Sequence, residues 1–263
     1  MKVSLIISTY NRPDALAVTL ESVKRQSRLP DEVIVGDDGS GPETAALIER
    51  FKADFPVPLI HVWQEDKGFR LAKIRNRSVA AASGDYIVQT DGDVMLHRHF
   101  IRDHVRMADP NCYCKGNWVK LDPATTATVM ATGKAPKLTP WHKGIVEGNL
   151  KWMRNRALSW GFAQWFKRHG MAAIGCNMGY FRSDFMAVNG YDEDYEGWGK
   201  EDDDLAHRLV RLGRRMRDVR FAAVLYHLWH KEAPRNTDVN AARLAAQDAA
   251  GIIRATHGVD QYL

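Results

Sequence analysis

Tyr86-Ile87-Val88-Gln89-Thr90-Asp91-Gly92-Asp93 is an apolar run that ends on two carboxylates bracketing a glycine. The segment Tyr86 to Gln89 predicts a buried strand, and the pattern around it decides the fold. Upstream, Val3 to Ile7, Glu32 to Gly36 and Leu59 to Trp63 predict three more strands. Between them, Asp14 to Gln26, Glu43 to Phe51 and Leu71 to Ala82 carry helical spacing, with Pro13 placed near a first helical position. Strands alternating with helices imply an α/β domain with a mostly parallel central sheet flanked by helices. Each strand is followed by polar residues: Tyr10-Asn11-Arg12, Asp37-Asp38, Gln64 to Arg70, and Asp91-Gly92-Asp93. Ligands of open α/β sheets bind beyond the carboxyl ends of the strands, so these four ends are expected to meet in one crevice.

The glycine-rich fingerprints of dinucleotide and phosphate loops are missing after the first strand. Phosphates would then be held through a metal and basic side chains. Carboxylates one residue apart suit a hard divalent cation, Mn²⁺ or Mg²⁺, that keeps positions open for phosphate oxygens. A second acidic run follows about a hundred residues on, Trp198-Gly199-Lys200-Glu201-Asp202-Asp203-Asp204. Leu205, Leu209 and Leu212 mark one face of a helix ending near Gly213, which puts Glu201 to Asp203 in its first turn, where the helix dipole favours carboxylates. Such a cluster can take a proton from an attacking hydroxyl.

The chain has 263 residues and a net charge of +5, and its charge is unevenly placed. Residues 111–170 hold ten Lys and Arg against Asp122 and Glu147, together with Trp118, Trp141, Trp152, Trp160 and Trp165. This composition suits an anionic membrane surface, a phosphorylated glycan or a nucleic acid, or else a solvated helix whose aromatic face lies in the core. No base-reading motif accompanies the charge, so nucleic acid is not an expected partner. Cys112, Cys114 and Cys176 lack zinc-like spacing and read as reduced thiols. With no signal-like or membrane-spanning run, the expected location is cytoplasmic, at most peripheral to the inner face of the membrane. An Ala-rich stretch from Ala241 to Ala255 predicts a C-terminal helix.

Ser4 to Arg12, Glu32 to Ser40, Ala72 to Asn76 and Asp91 to Asp93, in that order, resemble the family 2 glycosyltransferases, inverting enzymes of GT-A fold that use nucleotide-sugar donors. Asn177 to Arg182, Asn189 to Glu193 and Trp198 to Asp204 are similar to the C-terminal half shared with galactosyltransferases and chondroitin polymerases. The resemblance implies a single Rossmann-like GT-A domain, residues 1–110 forming its nucleotide-sugar half and 111–263 its acceptor and base half. It implies that Tyr10, Arg12 and Asp38 contact the nucleoside, Asp38 at the uracil edge, and that Thr9 and Gly92 complete the donor site. Arg70 and Arg75 would lie near the sugar or pyrophosphate. Asp93 would ligate the metal, with Asp91 on the ribose or reaching the metal through water. His227 and His230 resemble a late metal-ligand region, yet residues i and i+3 of a strand face opposite sides, so both can bind one ion only if the chain turns there. Asp202 would be the base, with Glu201 holding the base or the acceptor. Trp198 would stack on a sugar ring beside Asp203 in the acceptor site. Gly36 and Lys200 depart from the family pattern, Lys200 standing for a common glycine. The implied substrates are a nucleotide-sugar, UDP-linked by the family's habit, and a glycan or lipid-linked acceptor of bacterial surface polysaccharide or lipopolysaccharide synthesis. A non-catalytic sugar-binding module of the same fold is the alternative.

Overall fold

The computed structural model describes residues 1–136, 144–147, 151–165, 171–231 and 238–263. Its first half alternates as expected: Val3–Thr9 (β1), Pro13–Lys24 (α1), Glu32–Asp37 (β2), Pro42–Lys52 (α2), Leu59–Trp63 (β3), Leu71–Ala81 (α3) and Tyr86–Asp91 (β4). Then come Val94–Leu96 (β5), Phe100–Met107 (α4), Cys112–Lys115 (β6), Val119–Leu121 (β7), Pro123–Thr132 (α5), Ile145–Glu147 (β8) and Arg156–Trp165 (α6). Met178–Phe181 (β9), Arg182–Ala187 (α7), Glu201–Arg211 (α8), Arg215–Asp218 (β10), Leu225–His227 (β11) and Asp238–Ala249 (α9) complete the order.

Seven strands form the main sheet in the order β10-β6-β9-β4-β1-β2-β3. All neighbours are parallel except β9, which runs antiparallel to both β4 and β6. Alternation along β1, β2 and β4 sorts the core onto two faces. Leu5, Ile7, Val33, Val35 and Val88 pack with α1, α2 and α4, while Ile6, Ile34 and Ile87 pack with α3, α7 and α8. Both faces are covered, which is why these strands read as unbroken apolar runs. Gly36 is needed where α3 crosses β2, since a β-carbon there would come within 2.3 Å of Ser78 Oγ.

Pro13, Pro42 and Pro123 each open a helix, where a missing N–H costs nothing. The C-terminal helix closes earlier than expected, because Gly251 adopts a φ of +64° just past its end. A second sheet, β5-β11-β7-β8, was not expected. Its strands are only three residues long, too short to show a period. It also corrects the reading of 111–170 as one solvated helix, since the described part of that segment is β6, β7, α5, β8 and α6. Trp152 packs against the core of this second sheet and Trp160 is exposed. Trp141, Lys137, Lys143, Lys167, Arg168 and the side chain of Trp165 lie outside the described residues. No described helix is long and apolar enough to cross a membrane.

Helix α8 is bolted in place by an ion pair buried on both sides. Arg208 donates from Nε and Nη2 to Asp204 Oδ2 at 2.9 and 2.6 Å, and from Nη1 to the carbonyls of Val188 and Gly190, each at 2.7 Å. Removing one partner would strand a buried charge and two carbonyls. Arg208→Met is therefore expected to destabilise the fold by about 3–5 kcal/mol in urea denaturation; a loss under about 1 kcal/mol would show that the pair does not hold α8.

Candidate active site

The carboxyl ends of β1, β2 and β4 open into a cavity of about 740 Å³. Its far wall comes from the loop 173–176, the start of α8, and the second sheet. Every site residue singled out from the sequence lines it except Arg70. Arg70 instead caps α3: its backbone N–H donates to Asp38 Oδ2 at 2.9 Å and its guanidinium turns back to the Glu65 carbonyl.

Arg75 is the hub of one side of the cavity. It is 1% exposed, and Nη1 donates to Asp202 Oδ1 at 2.8 Å and to Glu201 Oε1 at 3.4 Å, while Nη2 reaches Asp91 Oδ1 at 3.3 Å. Its two terminal nitrogens are thus turned to three carboxylates, while the side chain still lines the cavity. Beside it, Tyr191 donates its hydroxyl proton to Asp202 Oδ1 at 2.8 Å, and the Tyr191 ring lies 5.3 Å from the guanidinium carbon. Gln89 donates to Tyr191 Oη and to the Gly175 carbonyl, and accepts from Tyr180. With Oδ1 held twice, Asp202 presents Oδ2 against Gly175, where any β-carbon would come within 2.1 Å of that oxygen. Asn76, next to Arg75, bonds both the N–H and the carbonyl of Tyr191. The Arg75-Asn76 pair therefore positions the acidic cluster from one side and Tyr191 from the other.

Burial raises the Glu201 carboxyl to about 8, the neighbouring Asp202 charge adds to this, and Arg75 only partly opposes it. Glu201 Oε2 is buried without a partner, as suits a protonated acid. Desolvation likewise lifts Asp91 to about 6 against the pull of Arg75, although a third of its side chain still meets the cavity.

Across the cavity, Asp93 faces His230 Nε2 at 3.2 Å and His227 Nε2 at 3.6 Å, with Arg12 Nη1 at 3.2 Å. The chain does turn: β11 ends at His227, and the Trp229 N–H bonds Thr126 Oγ1, which brings the two imidazole centroids to 5.3 Å. Each histidine spends Nδ1–H on a backbone carbonyl, His227 on Leu228 and His230 on Lys231. In the neutral rings Nε2 is then a lone pair aimed at a carboxylate, an arrangement that calls for a cation. Asp93 Oδ1 is buried with no hydrogen-bond partner, and one ligand atom from each residue falls within 4.8 Å of the others. Burial by itself would raise the Asp93 carboxyl, but with a proton on His230 Nε2 in the place of a cation, the His230 bond and the nearby positive groups hold it below its ordinary value, and the bond to Asp93 in turn raises His230. The donor set fits a divalent ion, and two imidazoles with a carboxylate suit Mn²⁺ better than Mg²⁺.

Thr9 and Gly92 lie together at the floor, a β-carbon on Gly92 falling 3.0 Å from Thr9. Tyr10 is 47% exposed and donates to Asp66 Oδ2 at 2.9 Å. Asp38 is buried with both oxygens engaged, by Gln64 Nε2 and the Arg70 N–H. Asp203 pairs with Lys200 at 3.0 Å. Lys200 has a φ of +78°, which costs an L residue roughly 1–2 kcal/mol and shows why glycine is at home there. Sequence reading gave no site role to Phe69, Trp118, Lys120, Glu147, Gly175 or Cys176, all of which line the cavity. Phe69 and Gly175 offer no local pattern, Trp118, Lys120 and Glu147 stand out only as part of the basic, Trp-rich segment, and the cysteine signals only its redox state.

Residues 4–187 match the model of "Glycosyl transferase family 2", and residues 156–231 match that of the "N-terminal domain of galactosyltransferase". The chain is 24% identical over 237 residues to the chondroitin synthase of Escherichia coli, covering 85% of this chain and 34% of that protein. It is 28% identical over 242 residues to the validoxylamine A glucosyltransferase of Streptomyces hygroscopicus subsp. limoneus, covering 88% and 51%. It thus spans about a third to a half of these relatives. In fold it is similar to S. aureus TarS 1-349 in complex with UDP-GlcNAc, at a TM-score of 0.66 and 16% identity over 100% of this chain and 69% of that one. The Pyrobaculum calidifontis mannosyltransferase PcManGT, in complex with GDP-Man and Mn2+, superposes at 0.63 with 19% identity, covering 98% and 65%. With the family model covering well over half its length and the GT-A sheet in place, the chain belongs to glycosyl transferase family 2.

Proposed function

We propose that this chain transfers a hexosyl group, with inversion, from a nucleotide-sugar, UDP-linked in our reading, to a hydroxyl of a glycan or lipid-linked acceptor. The observation that carries the reading is the pairing of opposed groups across one cavity: the Asp93, His227 and His230 cluster on one wall and the Arg75-held Asp202 on the other. TarS binds UDP-GlcNAc in a similar fold, which supports a nucleotide-sugar donor. The setting would be surface polysaccharide or lipopolysaccharide synthesis, and the three buried cysteines, none of them in a disulfide, suit a reducing, cytoplasmic site of action.

In this mechanism Thr9, Tyr10, Arg12, Asp38 and Gly92 bound the donor, with Asp91 toward the ribose. Asp93, His227 and His230 would hold Mn²⁺ or Mg²⁺, which when bound neutralises charge on the departing diphosphate. Asp202 Oδ2 accepts the proton of the acceptor hydroxyl as the hydroxyl oxygen bonds the anomeric carbon from the face opposite the diphosphate. The bond to the diphosphate breaks, and its electron pair leaves on the nucleotide. Arg75 and Tyr191 keep Oδ1 occupied, so the proton is directed to Oδ2. Trp198 and Asp203 border the acceptor side. The basic segment 111–170 would touch an anionic bilayer through α6, a reading supported by exposed Leu158 and Trp160 on that helix.

Asp93→Ala is expected to abolish the Mn²⁺-dependent part of UDP binding in calorimetry, while Asp202→Asn binds UDP within about twofold of wild type and loses transfer by roughly 10²-fold or more. A fully active Asp202→Asn would remove the base assignment, and no metal-dependent nucleotide binding by wild type would favour a non-catalytic module. Glu201 gives a pH signature. Its folded value of about 8 lies above the ordinary 4.5, so the stability it contributes is complete below pH ~4.5 and is lost as pH rises through 8. In urea denaturation without metal or nucleotide, wild type should lose up to about 1.4 kcal/mol per pH unit more than Glu201→Gln between pH 5 and 8; parallel curves would refute a protonated Glu201. Flotation with anionic liposomes should carry the protein to the lipid fraction and fail with neutral ones; recovery in the soluble fraction with both would rule out the bilayer contact.

A further inference from the structure

The loop Glu196-Gly197-Trp198-Gly199-Lys200 carries Trp198 into the cavity and leads straight into the acids of α8. It is an improbable piece of backbone. Gly197, Gly199 and Lys200 have φ of +76°, +93° and +78°, so three of four consecutive residues are left-handed. Two glycines free such a loop to move, and something outside must select this conformation.

That selection comes from α9. Asn240 is 4% exposed, and its Nδ2 donates to the Glu196 carbonyl at 3.1 Å and to the Gly199 carbonyl at 2.9 Å. Both hydrogens of one amide are thus spent on the two carbonyls that flank the Trp198 turn. Both partners only accept, so an amide nitrogen is required there and a carboxylate cannot replace it. A third bond, from the Gly197 N–H to the Phe69 carbonyl at 2.9 Å, ties the same turn to the donor-side loop. Helix α9 is itself docked by polar side chains: Gln247 on Asp192, Arg243 on Asp194, and Asp248 between His207 and Arg211 of α8. Asn240 is the buried residue among the described side chains of α9.

We propose that Asn240 is a positioning residue, acting through the Glu196 and Gly199 carbonyls to fix Trp198 and the first turn of α8 in register with the cavity. Its kinetic consequence rests on the glycosyl-transfer reading, whereas its structural consequence does not. The test compares Asn240→Asp, which keeps the shape and removes the donors, with Gln247→Ala, which loosens α9 elsewhere and leaves the clamp. In Asn240→Asp, hydrogen exchange of amides 197–204 should accelerate on the order of tenfold or more, with β1 and β4 unchanged and UDP binding in the presence of Mn²⁺ within twofold. For any methyl hexopyranoside that wild type glycosylates, KM should rise roughly tenfold, the rest of the loss appearing in kcat. Unchanged loop exchange, equal acceleration in Gln247→Ala, or acceleration throughout the molecule would each overturn the proposal. Selective loop acceleration in a protein that transfers no sugar would leave the clamp standing and refute the glycosyl-transfer reading.

Discussion

The structure depends on one buried guanidinium. Arg75, on α3 of the first half, is where Asp91 from β4 and Glu201 and Asp202 from α8 meet. Three acids this close would repel one another in a low-dielectric cavity, and a buried charge is tolerated only with a partner and full hydrogen bonding. Arg75 cannot lose its proton, so it supplies a constant positive charge through any proton transfer at its neighbours. Burial still raises Glu201, the least exposed of the three, to about 8, and the Asp202 charge adds to this. One cation thus lets three carboxyls of unequal burial share one corner of the cavity.

The opposite wall follows a different logic. There the backbone makes the choice: carbonyls of Leu228 and Lys231 take the Nδ1 protons and turn both Nε2 atoms toward Asp93. The second sheet makes this possible. Strand β11 pairs antiparallel with β5, His227 opposite Val94, immediately after the Asp91-Gly92-Asp93 turn, and the Leu228 N–H bonds the Asp93 carbonyl. Residues about 135 positions apart thereby bring one ligand atom each within 4.8 Å of the others.

Much of this was legible in the sequence, for physical reasons. Strands β1, β2 and β4 are buried on both faces and so leave unbroken apolar runs, and the polar residues after them sit at strand ends because the crossovers demand it. Asp93, Asp202 and both histidines were identifiable because their chemistry is rare at such places. Other features left no local trace. The three-residue strands of the second sheet have no period. Gly175 is a glycine because Asp202 Oδ2 lies against it, a fact about a residue 27 positions away. Asn240 sits in an Ala-rich helix and shows no sign of what it holds. Asp38 and Arg70 look like ligand groups in the sequence, yet much of their hydrogen-bonding capacity is turned toward each other and toward Gln64.

Strand β9 gives the chain a particular birth order. It is the antiparallel strand wedged between β4 and β6, and Met178 follows Asp91 by 87 positions. On a ribosome adding roughly 5–20 residues per second, strands β1 to β4 can pair on emergence, and then β4 waits on the order of ten seconds for its other neighbour. Through that interval an apolar edge, Tyr86-Ile87-Val88, stands open to pairing with another nascent chain. The carboxyl half therefore completes the wall of the cavity and also closes the edge that the amino half cannot close for itself.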